Sequence, residues 1–400
     1  MSRPKSTTAV PRPRPDELPA PSSEAHAHSL RLLEKLHTQI TAQGGTIRFE
    51  QYMQAALYQP ELGYYRCGTE KFGAHGDFIT APECSPLFAR CLASFALQTG
   101  IGDTILEVGA GSGKLAAHIL QQLQQQDAVP THYWILELSS ELRQRQRETI
   151  DQLCPQLLAR VQWLDDIPDD FVGVVIANEL LDAMPVRRFH IRGQQLFEQH
   201  VAWCDGVLCY RDVPLGDVRL IDRIATLREQ TSLGEVDNYL SEVNFMAEDW
   251  LRTLGNKMQQ GVVLLIDYGY PRSAYYHAQR NRGTLMCHYQ HRAHPDPLIL
   301  PGLQDITAHV DFTAMADAAL DAGMEIAGFT SQGHFLLNMG LLDLATHPDM
   351  DEHERLAINT EIKTLTLDTE MGEQFKVMAC SKHLDIAVPG FAHHDLRHLL

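Results

Sequence analysis

The sequence predicts an α/β fold with a Rossmann-like, seven-stranded sheet, and three observations predict it. From residue 104 onward, apolar runs at 104–108, 133–137, 161–164, 172–177, 262–267, 324–329 and 375–380 alternate with helical patterns. Strands separated by helices imply βαβ units and a parallel sheet. The first run continues through Ile105-Leu106-Glu107-Val108-Gly109-Ala110-Gly111-Ser112-Gly113-Lys114-Leu115, which reads as strand, tight turn and helix start. Glycines let the chain turn sharply and leave bare main chain for a ligand, and the helix start behind them offers free N–H groups. Finally, the first five candidate strands end in polar residues, mostly acids, where open α/β sheets bind their ligands.

Taken in order, residues 1–25 are rich in proline and serine and predict a disordered tail. The tail carries Arg3, Lys5, Arg12 and Arg14, but Pro4, Pro11, Pro13 and Pro15 oppose the amphipathic helix of a mitochondrial presequence. The expected location is therefore the cytoplasm of a bacterium, with the mitochondrion reserved for a eukaryotic chain. Leu30, Leu33 and Leu36 space a helix over 26–42, and 47–66 reads as a second helix and turn ending in Tyr64-Tyr65. A small, polar loop follows over 73–83, then helical periodicity over 84–99. Residues 26–100 thus form a helical segment packing on the core at 101–400. Between the fourth and fifth strands, Phe189, Ile191, Val201, Trp203, Val207 and Cys209 alternate like antiparallel strands. This makes 187–255 an insertion beside the ligand face, and an interface should the chain form a homodimer.

Composition narrows the function classes. A formal charge of −18 argues against a nucleic-acid partner. Eight cysteines without a C-x-x-C spacing read as free thiols rather than a disulfide framework. No apolar run approaches the ~20 residues of a membrane span.

The glycine spacing selects the cofactor. Dinucleotide sites use G-x-G-x-x-G, whereas this turn is G-x-G-x-G with Glu107 two residues ahead. The pattern resembles that of S-adenosylmethionine-dependent methyltransferases, whose cofactor carries an ammonium that an acid can hold. Glu137 ends the second strand, 24 residues after Gly113, and a carboxylate there can accept from both ribose hydroxyls. Asp165-Asp166 end the third strand, either meeting the adenine amino group or capping the next helix. Asn178-Glu179 end the fourth, with Asp182 three residues on, and Asp267-Tyr268-Gly269 end the fifth.

Five ordered motifs then resemble one family. They are Gly76-Asp77-Phe78-Ile79-Thr80-Ala81-Pro82-Glu83, the glycine turn, Ala177-Asn178-Glu179-Leu180-Leu181-Asp182-Ala183-Met184-Pro185-Val186, Ile266-Asp267-Tyr268-Gly269, and Pro301-Gly302-Leu303-Gln304-Asp305-Ile306-Thr307-Ala308-His309-Val310-Asp311-Phe312. Over residues 45–380 the chain is similar to the MidA-like class I methyltransferases, whose mitochondrial member is a complex I assembly factor that symmetrically dimethylates arginine. The resemblance implies S-adenosylmethionine bound by Gly109, Gly111, Gly113 and Glu137, with the loop around Asp77–Glu83 closing over it; Thr80, Glu107, Asp165, Asp166 and Asn178 are further candidates for holding the cofactor. It implies arginine methylation of a protein, such as a respiratory-chain subunit. A protonated guanidinium is a poor nucleophile, so a carboxylate must pair with it and aim one nitrogen. Glu179 is the leading residue for that role, with Asp182 and Asp267 as further candidates. A small-molecule acceptor and a non-catalytic assembly chaperone stay open as alternatives. His288, His291 and His294 precede prolines and read as a surface loop rather than a metal site, so no metal is assigned. Thr307 and Asp311 suit capping of a helix over 312–322, and His309 is a candidate proton acceptor.

Overall fold

The computed structural model describes residues 18–66, 81–346 and 350–400. The leading seventeen residues of the expected tail lie outside that range. Helix α1 (Ser23–Ala42) begins within the remainder because the Ser22 hydroxyl accepts from the Ala25 N–H. Strand β1 (Thr46–Arg48), α2 (Phe49–Tyr58), the short α3 (Ala81–Cys84) and α4 (Pro86–Thr99) follow. Then come β2 (Thr104–Val108), α5 (Lys114–Gln125), β3 (His132–Leu136), α6 (Ser140–Leu153), β4 (Val161–Leu164) and β5 (Phe171–Asn178).

Strands β6 (Arg187–Arg192), β7 (Gln195–Cys204), β8 (Val207–Pro214) and β9 (Asn238–Val243), with α7 (Val218–Gln230), occupy the expected insertion. Helix α8 (Phe245–Lys257) leads into β10 (Met258–Tyr270) and α9 (Arg272–Tyr275). Beyond it lie β11 (Met286–Tyr289), β12 (Arg292–His294), β13 (Asp305–Thr307), β14 (Val310–Asp311), α10 (Phe312–Asp321), β15 (Glu325–Ser331) and β16 (Phe375–Lys382).

The central sheet runs β4-β3-β2-β5-β10-β16-β15. Neighbours from β4 to β10 are parallel, as expected. Strand β16 differs: it enters between β10 and β15 and runs antiparallel to both. The sequence could not show this, because Val377, Met378, Ala379 and Cys380 are all buried, and a strand covered on both faces reads as apolar in either direction.

Alternate residues of one strand feed two cores, which gives three layers. Val262, Leu264 and Ile266 pack with Phe88 and Phe95 of α4 and Ile119 and Leu120 of α5. Val263 and Leu265 pack with Leu251 and Leu254 of α8 and Met315 of α10. Helices α1 and α2 do not join either core. Leu32, Leu36, Phe49 and Met53 pack instead on Val201 and Leu208 of the second sheet and Ile306 of β13.

That second sheet is order β1-β7-β6-β9, with β8 on the far side of β7. Buried ion pairs tie it together: Arg187 binds Glu198 bidentately at 2.8 and 2.7 Å, and Arg188 meets Glu242. Two cysteines depart from the expected thiols, since Cys204 and Cys209 form a disulfide across the β7–β8 hairpin. The hairpin brings together residues whose sequence separation gave no framework. The histidine stretch is not a loop either. His288 lies in β11, His291 in the turn and His294 buried in β12, an alternation that faces them differently.

Candidate active site

A cavity of about 490 Å³ opens at the carboxyl ends of β2, β3, β4, β5 and β10. This is the size and place expected of a ligand site in an open α/β sheet. One half is built by the glycine turn. Gly109, Gly111 and Gly113 have φ of 72°, 51° and 85°, the left-handed region that favours glycine. A Cβ on Gly113 would sit 2.8 Å from the Gln146 Cα, so the turn presses directly against α6.

Gln146 is a member of this half that sequence reasoning missed. Its side-chain amide donates to the Gly111 carbonyl and to Glu137 Oε2, both at 3.1 Å, and so joins the turn to the end of β3. Glu137 also accepts the Ser139 N–H at 2.9 Å, and burial raises its carboxyl. Glu107 is buried, accepts from the Tyr133 hydroxyl at 2.6 Å, and is pushed up to about 7 by burial against that donor. Both acids line the cavity.

Asp165 and Asp166 lie on its rim and are otherwise engaged. Asp165 pairs with Arg143 at 2.6 Å, and Asp166 caps Ile167 and pairs with Lys257 at 2.9 Å. Thr80 lies outside the described residues. Leu138, Met246 and Trp250 add apolar wall.

The other half is acidic and aromatic. Glu179 takes a positive φ of 50°, with its N–H on the Ile266 carbonyl at 2.8 Å, which turns it out of the sheet into the cavity. Its carboxylate accepts from Asn178 at 3.1 Å and from the Ala81 backbone. Burial, then the charges of Asp182 and Asp305, push it up to about 8 despite those donors. Asp182 is buried; one oxygen takes the Tyr268 hydroxyl, and Oδ1 has no partner among the described residues. The Asn178 Oδ1 is likewise unpartnered.

Asp305, buried at the start of β13, accepts the Tyr65 hydroxyl at 2.9 Å, and Tyr65 stacks on Tyr58 with centroids 5.5 Å apart. The sequence drew attention to the aromatic pair and to the motif of Asp305 but did not connect them, because two separate chain additions meet here. Arg66 also lines the cavity and donates to the Leu138 carbonyl.

Asp267 does not line the cavity. Its carboxylate accepts the Tyr268 N–H at 2.9 Å and the Leu181 and Asp182 N–H groups at 2.9 and 3.3 Å, so it holds the turn that presents Asp182. Burial first, then Asp182 and Glu179, raise it well above the carboxylate range. His309 also lies off the cavity. It stacks on Tyr270 at 5.3 Å, and burial and Arg280 push it down to about 4, so it stays neutral. Asp311 caps α10 as expected, whereas Thr307 sits in β13.

A family model for S-adenosyl-L-methionine-dependent methyltransferases matches residues 87–330. The chain belongs to that family. A crystal structure from Burkholderia thailandensis, bound to S-adenosyl-homocysteine, is 42% identical and covers 96% of this chain and 100% of its own, with a TM-score of 0.90. A native structure from the same organism superposes with a TM-score of 0.88.

Among curated relatives, the mitochondrial protein arginine methyltransferase NDUFAF7 homolog of Drosophila melanogaster is 29% identical, over 94% of this chain and 92% of its own. That of Caenorhabditis elegans is 28% identical, over 74% of each. The methyltransferase uses S-adenosylmethionine. Beside the bare glycine turn, the buried Glu107 suits its charged methionine end, Glu137 its ribose, and the apolar wall of Leu138 and Trp250 its adenine.

Proposed function

We propose that this methyltransferase transfers a methyl group to a guanidinium nitrogen of an arginine in a protein. The observation that carries the reading is the acidic half of the cavity. Glu179 and Asp182 line it, the buried Asp182 Oδ1 and Asn178 Oδ1 have no partner among the described residues, and tyrosines wall it. A buried acid without a cation is costly, and a planar cation that donates several hydrogen bonds relieves the cost. The names of the NDUFAF7 relatives support the same acceptor class.

Bound S-adenosylmethionine supplies an electrophilic methyl on its sulfonium. Glu179 pairs with the guanidinium and aims one nitrogen, while Asp182 takes a second edge through its free oxygen. Asp267 is a positioning residue that fixes the turn carrying Asp182. Glu179 also takes the proton that the nitrogen loses on methylation. Glu107, the glycines, Glu137 and Asn178 hold the cofactor, and Asp165 and Asp166 border its adenine end. Symmetric dimethylation, a respiratory-chain subunit as acceptor and a role in its assembly extend the reading along the MidA-like resemblance.

The test is transfer of label from S-adenosylmethionine into the lysate of a strain lacking this gene, with wild type beside Glu179→Ala. The expected result is one labelled protein whose label is recovered in methylarginine and vanishes with the variant. Label in a small molecule, or function retained by a variant devoid of transfer, would overturn it.

A further inference from the structure

The four residues of α3 reach both halves of the cavity. At the far end, the Glu83 carboxylate is almost fully enclosed, with 5% of its side chain exposed. One oxygen accepts the Ser112 hydroxyl inside the glycine turn, and the other meets the Lys114 ammonium, the first residue of α5, at 2.5 Å. At the near end, the Ala81 N–H donates to the Glu179 carboxylate. The helix is anchored again just beyond, where the Ser85 hydroxyl donates to Glu361 at 2.6 Å. One short rigid element thus joins the turn that cradles the cofactor to the acid on the acceptor side.

We propose that Glu83 is a positioning residue: its bridge to Ser112 and Lys114 fixes α3, and α3 fixes the distance between the cofactor turn and Glu179. The inference rests on Glu179 acting as the acceptor-side acid. The enclosure is one-sided, since 42% of the Lys114 side chain is exposed, but the buried Glu83 carboxylate cannot regain water by swinging out, so it stays on Ser112 and Lys114. In-line transfer is sensitive to such placement, and an ångström of slack costs up to about 100-fold in rate.

Among the described residues, the groups that face Glu179 are Asn178, Asp182, Asp267, Asp305, Tyr268 and Cys84, none of them a cation. The Ala81 donor therefore counts in its ionisation, and loosening α3 has a signature that simple loss of stability lacks.

The experiment compares wild type, Glu83→Gln, Lys114→Gln and Glu179→Ala in the labelled-transfer assay from pH 6 to 9. Binding of S-adenosyl-homocysteine is measured alongside by calorimetry. Expected for both Glu83→Gln and Lys114→Gln are a kcat about 10- to 100-fold lower, acceptor KM and cofactor Kd within about threefold, and a rising-limb midpoint moved to higher pH. A kcat and midpoint unchanged in both variants, with Glu179→Ala inactive, overturn the positioning role and leave the acceptor reading standing. A rate loss traced wholly to cofactor Kd also overturns it. If Glu179→Ala keeps full activity, the acceptor reading fails and this inference fails with it.

Discussion

Replacing Glu179 by glutamine should stabilise the protein while disabling it. Raising a carboxyl from about 4.3 to about 8 corresponds to about 5 kcal/mol of disfavoured charge when the group is ionised in the folded state. Glu179 forms part of a cavity wall, so water reaching the cavity offsets part of this, and about 2 kcal/mol is a fairer magnitude. The sign follows from linkage. The folded pKa is raised, so the folded protein holds the proton more tightly than the unfolded chain, and stability falls as pH rises from about 4.3 to about 8. Glutamine is neutral and of the same shape, so the gain is about 1 kcal/mol at pH 5, just above the unfolded pKa, and full at pH 8.5. For a chain of this size, about 2 kcal/mol amounts to roughly 2–4 °C in Tm. Differential scanning calorimetry of both proteins at pH 5 and pH 8.5, without cofactor, measures it. Methyl transfer should fall by about 10- to 100-fold, the loss of a charged hydrogen bond to a guanidinium. Equal Tm at both pH values, or a lower Tm at pH 8.5, would refute the argument that Glu179 is an uncompensated buried acid.

Three further outcomes rest on the same geometry. Because Glu179 must be anionic to pair with a guanidinium, kcat/KM for the acceptor should rise about tenfold per pH unit below about 8 and level off above it, in initial-rate assays. Gly113→Ala forces a side chain into a left-handed conformation and against the α6 backbone, so calorimetry should show S-adenosyl-homocysteine binding weakened by at least about tenfold. Asp267→Ala leaves three backbone N–H groups without their acceptor, which should cost about 3 kcal/mol or more in denaturant unfolding, whereas Asp267→Asn, which keeps one oxygen, should cost less.

The fold was legible because its signals are local. The run Thr104–Val108 is a five-residue strand in both sequence and structure, and the turn after it needs glycine at three positive-φ positions. Glu107, Glu137, Asn178 and Glu179 stand where apolar runs end, and the structure gathers all four around one cavity. What escaped was set by tertiary contact. Whether Asp267 faced the ligand or its own backbone depended on the path of residues 181–182, some 85 positions earlier in the chain. Gln146 looks like one polar residue among many in α6, yet its amide closes the cofactor half. The direction of β16 could not be read from a strand buried on both faces.

The two halves of the cavity also differ in origin. The cofactor half comes from β2, β3 and the turn between β2 and α5, all within the central sheet and its crossovers. The acceptor half keeps Glu179 and Asp182 from the end of β5, but Tyr58 and Tyr65 come from the N-terminal segment and Asp305 from the small β11–β13 sheet. These additions pack on one another through Ile306, Leu57 and Leu62 rather than on the central core. A rigid sheet thus presents the methyl donor, while separately packed elements shape what receives it. Changes confined to Tyr58, Tyr65 or Asp305 should therefore alter acceptor KM before they alter cofactor affinity, a separation that steady-state kinetics with calorimetry resolves and that equal losses in both would contradict.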